Sequence, residues 1–81
     1  MNVKNKIYNL VILKSKIKKE KTDMKDSDDL IYDLGLGSLS LVELIVDIEC
    51  EFDIEIDEDD IEQIYKFGDL VNYVTEKVNF R

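Results

Sequence analysis

The sequence predicts an all-α fold, in which three longer helices and one short third helix form a small four-helix bundle. Proline is absent from the 81 residues and glycine occurs three times, so little in the chain interrupts helix formation. Apolar residues make up 44% of the chain and recur at helical spacing in segments divided by polar stretches. This supply of apolar side chains is enough for one compact core. We therefore expect residues 1–81 to form a single domain.

The first helix is predicted over residues 2–18. Its apolar side chains recur at helical spacing, and they are Val3, Ile7, Leu10, Val11 and Ile17. Three more are expected to widen the buried face, namely Tyr8, Ile12 and Leu13. Lysines bracket this apolar run and no small-residue cleavage site follows it. We therefore interpret it as a helix of a soluble, cytoplasmic protein and not as a signal peptide.

A long polar loop is expected over residues 19–33, because helical periodicity is lost there. Three apolar side chains, Met24, Leu30 and Ile31, are expected to anchor this loop to the core.

The second helix is predicted to begin at Ser38, directly after Gly35 and Gly37, and to end at Asp53. One arc of this helix is apolar and is assigned to the core, with the members Leu41, Leu44, Ile45, Ile48 and Phe52.

A second apolar face lies on the opposite side of the same helix. Leu39, Val46 and Cys50 align on this face, with Val42 at the seam between the two faces, and these four residues are called the apolar strip below. Three acids flank it, namely Glu43, Asp47 and Glu49. A helix needs one apolar face to join a core, so the surplus strip predicts contact with a partner. Two alternatives stay open: a neighbouring helix covers the strip, or its residues are singly exposed apolar side chains without a role.

The third helix is predicted over residues 57–64. Asp57 is a good N-cap residue, and Asp60 stands three positions later as in a capping box. Ile56 and Ile61 occupy the two positions of a hydrophobic staple.

The fourth helix is predicted over residues 67–78. Its apolar face consists of Phe67, Leu70, Val71, Val74 and Val78.

Charge is unevenly distributed along the chain, whose net charge is -8. Residues 1–21 contain seven lysines and one acid, whereas residues 22–81 contain eighteen acids and four basic residues. Such an acidic body repels nucleic acid and anionic membranes, so we expect neither nucleic-acid binding nor stable membrane insertion. Partners should present lysine and arginine. The basic segment either touches a phosphate backbone or lipid head group or, as we favour, attracts the acidic remainder of the domain.

The side chains available for chemistry argue against an enzyme. The chain has no histidine and one cysteine, Cys50, which excludes an internal disulfide and a structural zinc site. Ser38 has no histidine to activate its hydroxyl as a nucleophile. The alternating acids from Asp53 onward are spaced like the start of a calcium loop, but Glu58 and Ile64 stand where that loop needs glycine and glutamate. We expect neither catalysis nor a metal site.

Three segments between residues 30 and 78 form a recognisable pattern. The first segment contains Asp33, Leu34, Gly35, Leu36, Gly37, Ser38, Leu39, Val42, Glu43 and Leu44. The second contains Glu49, Glu51, Phe52, Ile54, Glu55 and Ile56, and the third contains Gly68, Asp69, Leu70, Val71, Tyr73 and Val74. Together they resemble the acyl carrier proteins, a likeness that implies a four-helix bundle of the acyl-carrier type.

The resemblance implies that Ser38 carries a covalent 4'-phosphopantetheine arm from coenzyme A, as the serine of the family's Asp-Ser-Leu motif does. Ser38 and Leu39 match that motif, whereas Gly37 stands where most members have aspartate. A helix N-terminus suits a phosphodiester, since unpaired N–H groups and the helix dipole favour anions. Gly35 and Gly37 are expected to leave the approach to the serine uncrowded. Lys66 replaces a common Thr or Ser cap of the last helix, at an expected cost of about 1 kcal/mol.

The implied function is to hold acyl intermediates as thioesters, for fatty-acid synthesis or for a specialised polyketide, peptide or D-alanyl pathway. The implied partners are a holo-carrier synthase or other phosphopantetheinyl transferase, and ketosynthase or acyltransferase enzymes with basic docking surfaces. We expect them to dock on a monomer through Leu39, Val42, Glu43, Val46, Asp47 and Glu49. The alternative function is a helical protein-protein interaction module that is not primed with the arm.

Overall fold

Four helices follow one another in the predicted order in the computed structural model, which describes residues 2–79. They are α1 (Val3–Lys14), α2 (Ser38–Phe52), α3 (Glu58–Ile61) and α4 (Phe67–Asn79). Their lengths are 12, 15, 4 and 13 residues, so the prediction of three longer helices and a short third one is confirmed. Within the described range, none of these helices has the length and apolar character needed to span a membrane.

The first helix is shorter than predicted. It ends at Lys14 and not at residue 18, because Ser15 leaves helical geometry with φ -74° and ψ 138°. The buried Ser15 hydroxyl lies within hydrogen-bond reach of the carbonyl oxygens of Ile17 and Leu34. Serine offers the backbone such alternatives to helical bonds more readily than most residues.

The buried face of α1 is narrower than predicted. Ile7 and Val11 are fully buried, and Val3, Tyr8, Leu10 and Ile12 are partly buried against the core. The prediction is wrong for Leu13, which is 77% exposed, and for Ile17, which is exposed and lies outside the helix. Leu13 follows Val11 by two residues, so it lies about 200° round the helix from a buried position.

The core face of α2 is as predicted. Leu44, Ile45, Ile48 and Phe52 are buried, and Leu41 is partly buried. The helix ends where expected, because Asp53 adopts the left-handed conformation with φ 54°. That conformation terminates helical hydrogen bonding.

Two ion pairs between α1 and α2 show how these helices are arranged. Lys14, at the end of α1, pairs with Glu43 near the start of α2. Lys6, near the start of α1, pairs with Glu51 near the end of α2. The two helices are therefore antiparallel, and α1 packs against both α2 and α4.

The loop between α1 and α2 contributes four buried side chains to the core, namely Met24, Leu30, Leu34 and Leu36. The predicted anchoring by Met24 and Leu30 is confirmed, but the prediction for Ile31 is wrong, because it is 43% exposed. The Asp29 carboxylate accepts hydrogen bonds from the N–H groups of Ile31 and Tyr32. This tight turn leaves the Ile31 side chain facing solvent.

Backbone carbonyls of the loop cap the first turn of α4. The N–H of Phe67 donates to the carbonyl oxygen of Asp28 at 2.9 Å, and the N–H of Gly68 donates to a second loop carbonyl at the same distance. This second carbonyl belongs to Asp26, whose Cβ would lie 2.7 Å from a Cβ on Gly68, so the contact requires glycine. The expected cost of Lys66 is offset, because two N–H groups of the first turn already have partners.

The buried Asp28 side chain holds this part of the loop together. Its carboxylate accepts hydrogen bonds from the N–H of Lys25 at 2.9 Å and from the ammonium of Lys19 at 3.0 Å. The Lys25 N–H lowers the pKa of Asp28 below its ordinary value, with burial opposing the effect and Lys19 adding to it. An ionised carboxylate therefore fastens the loop from which α4 starts.

The short helix α3 differs from its prediction in length and in capping. It begins at Glu58 and ends at Ile61, and the Asp57 side chain makes no capping hydrogen bond. Asp60 instead accepts a hydrogen bond from the Tyr73 hydroxyl at 2.6 Å. The predicted capping box is therefore wrong, because its second carboxylate is bonded to α4.

The apolar face of α4 is confirmed. Phe67, Leu70 and Val74 are buried, and Val71 and Val78 are partly buried against the core.

Candidate functional site

Ser38 is the first residue of α2, and its side chain is exposed. Gly37 is the N-cap residue, with φ -81° and ψ 170°, and supplies no side-chain cap. Within residues 2–79, the backbone N–H groups of Ser38, Leu39 and Ser40 have no hydrogen-bond partner. The first turn of α2 also lacks an acidic side chain. Free donors and the positive end of the helix dipole therefore lie beside the Ser38 hydroxyl.

The two glycines before Ser38 have different roles. A Cβ at Gly37 would meet no atom within 4 Å, so this position is open, as expected for an uncrowded approach. Gly35 has φ +71°, and a Cβ there would lie 3.1 Å from the Cβ of Lys16. Its glycine is required by the backbone conformation and by packing against Lys16 and Ile17, which follow α1, and not by access to the serine.

The apolar strip is exposed along α2. Leu39 is 72% exposed, Val42 57% and Val46 50%, and Cys50 is an exposed free cysteine. The alternative in which a neighbouring helix covers the strip is therefore wrong for the part of the chain that the structure describes. An apolar face of this kind on a small domain is typical of an interaction site.

The three acids that flank the strip all have partners inside the protein. The ammonium of Lys14 lies 3.4 Å from a carboxylate oxygen of Glu43 and 3.2 Å from one of Asp47. One oxygen of Glu49 accepts a hydrogen bond from the N–H of Ile56 at 2.9 Å. Glu43 and Asp47 thus face α1, and Glu49 fastens the link that leads to α3.

The basic N-terminal segment is largely neutralised by acids of the remaining domain. Four of its lysines form ion pairs with acids outside the segment: Lys4 with Asp26, Lys6 with Glu51, Lys14 with Glu43 and Asp47, and Lys19 with Asp28. The interpretation in which this segment attracts the acidic remainder is therefore confirmed.

Comparison with known proteins decides the family. A family model described as the phosphopantetheine attachment site matches residues 10–74. An acyl carrier protein of Chloroherpeton thalassium is 39% identical over 75 residues, which cover 93% of this chain and 91% of the relative. The chain belongs to the acyl carrier protein family. Acyl carrier proteins of Thermotoga maritima (37% over 67 residues, 83% of each chain) and Clostridium acetobutylicum (45% over 53 residues, 65% of this chain and 69% of the relative) are also similar.

The prosthetic group of this family is 4'-phosphopantetheine, and the start of α2 fits its phosphodiester. The free N–H groups of the first helical turn are donors for phosphate oxygens. The open space at Gly37 leaves room for the group. By its family, the chain is a carrier protein.

The contacts of two residues at the end of α1 were not predicted from the sequence. Lys14 shares a helix face with Ile7 and Val11, so its spacing hides the contact that it makes across to α2. Ser15 looked like an ordinary helical residue, yet its buried hydroxyl ends α1. The charge difference between residues 1–21 and the rest of the chain was a signal for the first contact, and no sequence signal indicated the second.

Proposed function

We propose that this protein holds acyl intermediates as thioesters on a 4'-phosphopantetheine arm attached to Ser38, within a single carrier domain. The observation that supports this most directly is the exposed Ser38 hydroxyl at an uncapped helix start. The phosphodiester would carry a negative charge, and the free N–H groups of the first turn together with the helix dipole would stabilise it.

Priming is the work of a visiting transferase. The Ser38 hydroxyl has no hydrogen-bond partner within residues 2–79, and the chain has no histidine. An unassisted serine hydroxyl is a poor nucleophile, so the phosphopantetheinyl transferase must supply the base. The chain's own contribution is to present the hydroxyl, to leave the space at Gly37 open and to stabilise the new negative charge.

The bound arm supplies a thiol, which forms thioesters with acyl groups. Because the acyl group is tethered, it reaches a docked enzyme at a high effective concentration. The pathway is fatty-acid synthesis or a specialised polyketide, peptide or D-alanyl route.

The proposed docking surface for synthases, acyltransferases and the transferase is the exposed side of α2. Leu39, Val42 and Val46 provide a small apolar contact that is already exposed in the free protein. Two carboxylates, Glu43 and Asp47, lie along one edge of it, and Glu49 retains one oxygen that Ile56 does not engage. Complementary charge speeds encounter, while a small apolar contact keeps release fast.

Intact-mass spectrometry tests the attachment site. The protein is incubated with coenzyme A and a broad-specificity phosphopantetheinyl transferase, and we expect the mass of one phosphopantetheinyl group to be added. Ser38→Ala should abolish the adduct. The matched control is Ser40→Ala, two residues further along the same helix turn, which should be primed like the wild type. An unmodified wild type would contradict the carrier proposal and favour the non-primed interaction module.

A further inference from the structure

Lys14 is the last residue of α1, and its side chain reaches the acidic edge of the docking surface on α2. Its ammonium contacts both Glu43 and Asp47, at 3.4 Å and 3.2 Å. The Lys14 side chain is only 21% exposed, although the two carboxylate side chains are 53% and 44% exposed. A single lysine of the protein therefore forms ion pairs with two carboxylates that remain accessible to solvent.

The two carboxylates belong to the same side of α2 as the docking contact. Glu43 and Asp47 are four residues apart and so lie one above the other on the helix. The neighbouring row of the helix surface holds Val42 and Val46, which are half exposed or more. A lysine or arginine of a partner that covered the apolar strip would reach the carboxylates that Lys14 already contacts.

The contact also affects the lysine. Its hydrogen bond to Asp47 raises the pKa of Lys14 above the ordinary value, and Glu43 adds to this effect while burial opposes it. Lys14 is therefore charged throughout the neutral range, as the contact with the two carboxylates requires.

We propose that Lys14 is an internal counterion that competes with basic partners for Glu43 and Asp47, and thereby sets the affinity of the docking surface. This inference rests on the proposed docking function of α2. Among the basic partner surfaces proposed above, it favours those that also bind the exposed apolar side chains of α2. A strongly basic partner must first displace Lys14, so this internal contact lowers the affinity that the acids alone would provide.

Lys6 is a natural control for this proposal. It lies on the same helix and forms an ion pair with Glu51 of α2 at 3.1 Å. Glu51 follows Asp47 by one helical turn and lies beyond Val46, the last large apolar residue of the strip. Lys6→Gln therefore changes the net charge as much as Lys14→Gln does, but it frees no carboxylate beside the exposed valines.

The probe is a synthetic amphipathic helical peptide with a leucine face and lysine edges, titrated into the full chain and followed by NMR signals of Leu39, Val42 and Val46. At about 20 mM salt we expect Lys14→Gln to bind it roughly two- to fivefold more tightly than the wild type. At about 500 mM salt the difference should largely disappear.

Three comparisons make the result specific to the contact. Lys6→Gln should increase affinity less than Lys14→Gln does, and Lys14→Arg should stay close to the wild type because arginine also pairs with carboxylates. In a Glu43→Gln/Asp47→Asn background, Lys14→Gln should have no further effect. Circular dichroism of each variant checks that α1 and α2 remain folded.

Equal effects of Lys14→Gln and Lys6→Gln would overturn the proposal, because they would show an effect of net charge alone. A peptide that leaves the signals of Val42 and Val46 unmoved in every variant would overturn it too. The same samples are primed and weighed by mass spectrometry. If the wild type is not primed, attachment at Ser38 is contradicted. The peptide titration tests the competition by Lys14 independently of that result.

Discussion

Gly37 has no side chain to cap the start of α2. With no cap from this residue, three N–H groups of the first helical turn have no partner within the described part of the chain. The backbone of Gly37 is extended, and a side chain here would meet open space. Nothing in the fold therefore requires glycine at this position, and the free N–H groups beside Ser38 are left without a competing carboxylate.

Gly37→Asp should stabilise the protein by about 0.5 kcal/mol, because aspartate can accept hydrogen bonds from the free N–H groups and its charge suits the helix dipole. Urea unfolding followed by circular dichroism measures the change. Gly37→Ala is the matched control, since alanine reduces the freedom of the unfolded chain in the same way but has no capping oxygen. Equal stability of the two variants would show that no cap is formed.

At the scale of single elements, α3 depends on its neighbours. A helix of four residues cannot form alone, because starting a helix costs more than so few hydrogen bonds return. Buried Ile56 and Ile64 hold the chain on either side of it. Tyr73 of α4 adds a direct link, since its hydroxyl donates to the Asp60 carboxylate at 2.6 Å.

This link predicts a dependence on alkaline pH. Burial, together with Asp60, raises the pKa of Tyr73 to about 12, above the value of about 10 for an unfolded chain. The neutral hydroxyl therefore contributes stability that is complete below about pH 10 and is lost as the pH rises toward 12.

Tyr73→Phe should remove the component with a pKa of about 12 from the tyrosinate absorbance titration. It should also cost roughly 1 kcal/mol at pH 7 through the lost hydrogen bond, and this cost should shrink above pH 10. Tyr32→Phe, at a position 84% exposed, should keep the late component. If a component with a pKa of about 12 persists in Tyr73→Phe, the assignment of that pKa to Tyr73 is wrong.

At the scale of the whole molecule, one core joins all three longer helices and the α1–α2 loop. Among residues 2–79, its fifteen buried apolar residues come from α1, α2, α4, the loop and the links around α3. A domain of this size has a total stability of about 4–12 kcal/mol. A single large cavity in the core therefore removes a large fraction of it.

Leu44→Ala tests this expectation. Leu44 is fully buried, and truncating such a residue costs about 2–5 kcal/mol. Leu39→Ala, on the exposed side of the same helix, should change stability by less than about 0.5 kcal/mol. The measurement is the midpoint and slope of urea unfolding for both variants. Similar losses in the two would mean that α2 is oriented differently from the description above.

The sequence predicted α2 and α4 well, because their 3.6-residue periodicity is a property of neighbours along the chain. The core residue Leu44 and the exposed residues Leu39 and Val46 could be separated by this spacing alone. The loop was harder to predict. Ile31 is as apolar as Leu30, and only the turn around Asp29 determines which of the two faces the core.

The sequence by itself determined the helical class, the two faces of α2 and the position of Ser38 at a helix start, since each depends on local spacing. Tertiary structure alone decided where α1 ends, what caps α4 and which cation meets Glu43 and Asp47. Those features join groups that are far apart in the chain, such as Ser15 with Leu34 and Lys14 with Glu43, separated by 19 and 29 residues. Local propensity carries no information about such pairs, because folding brings them together only when the core forms.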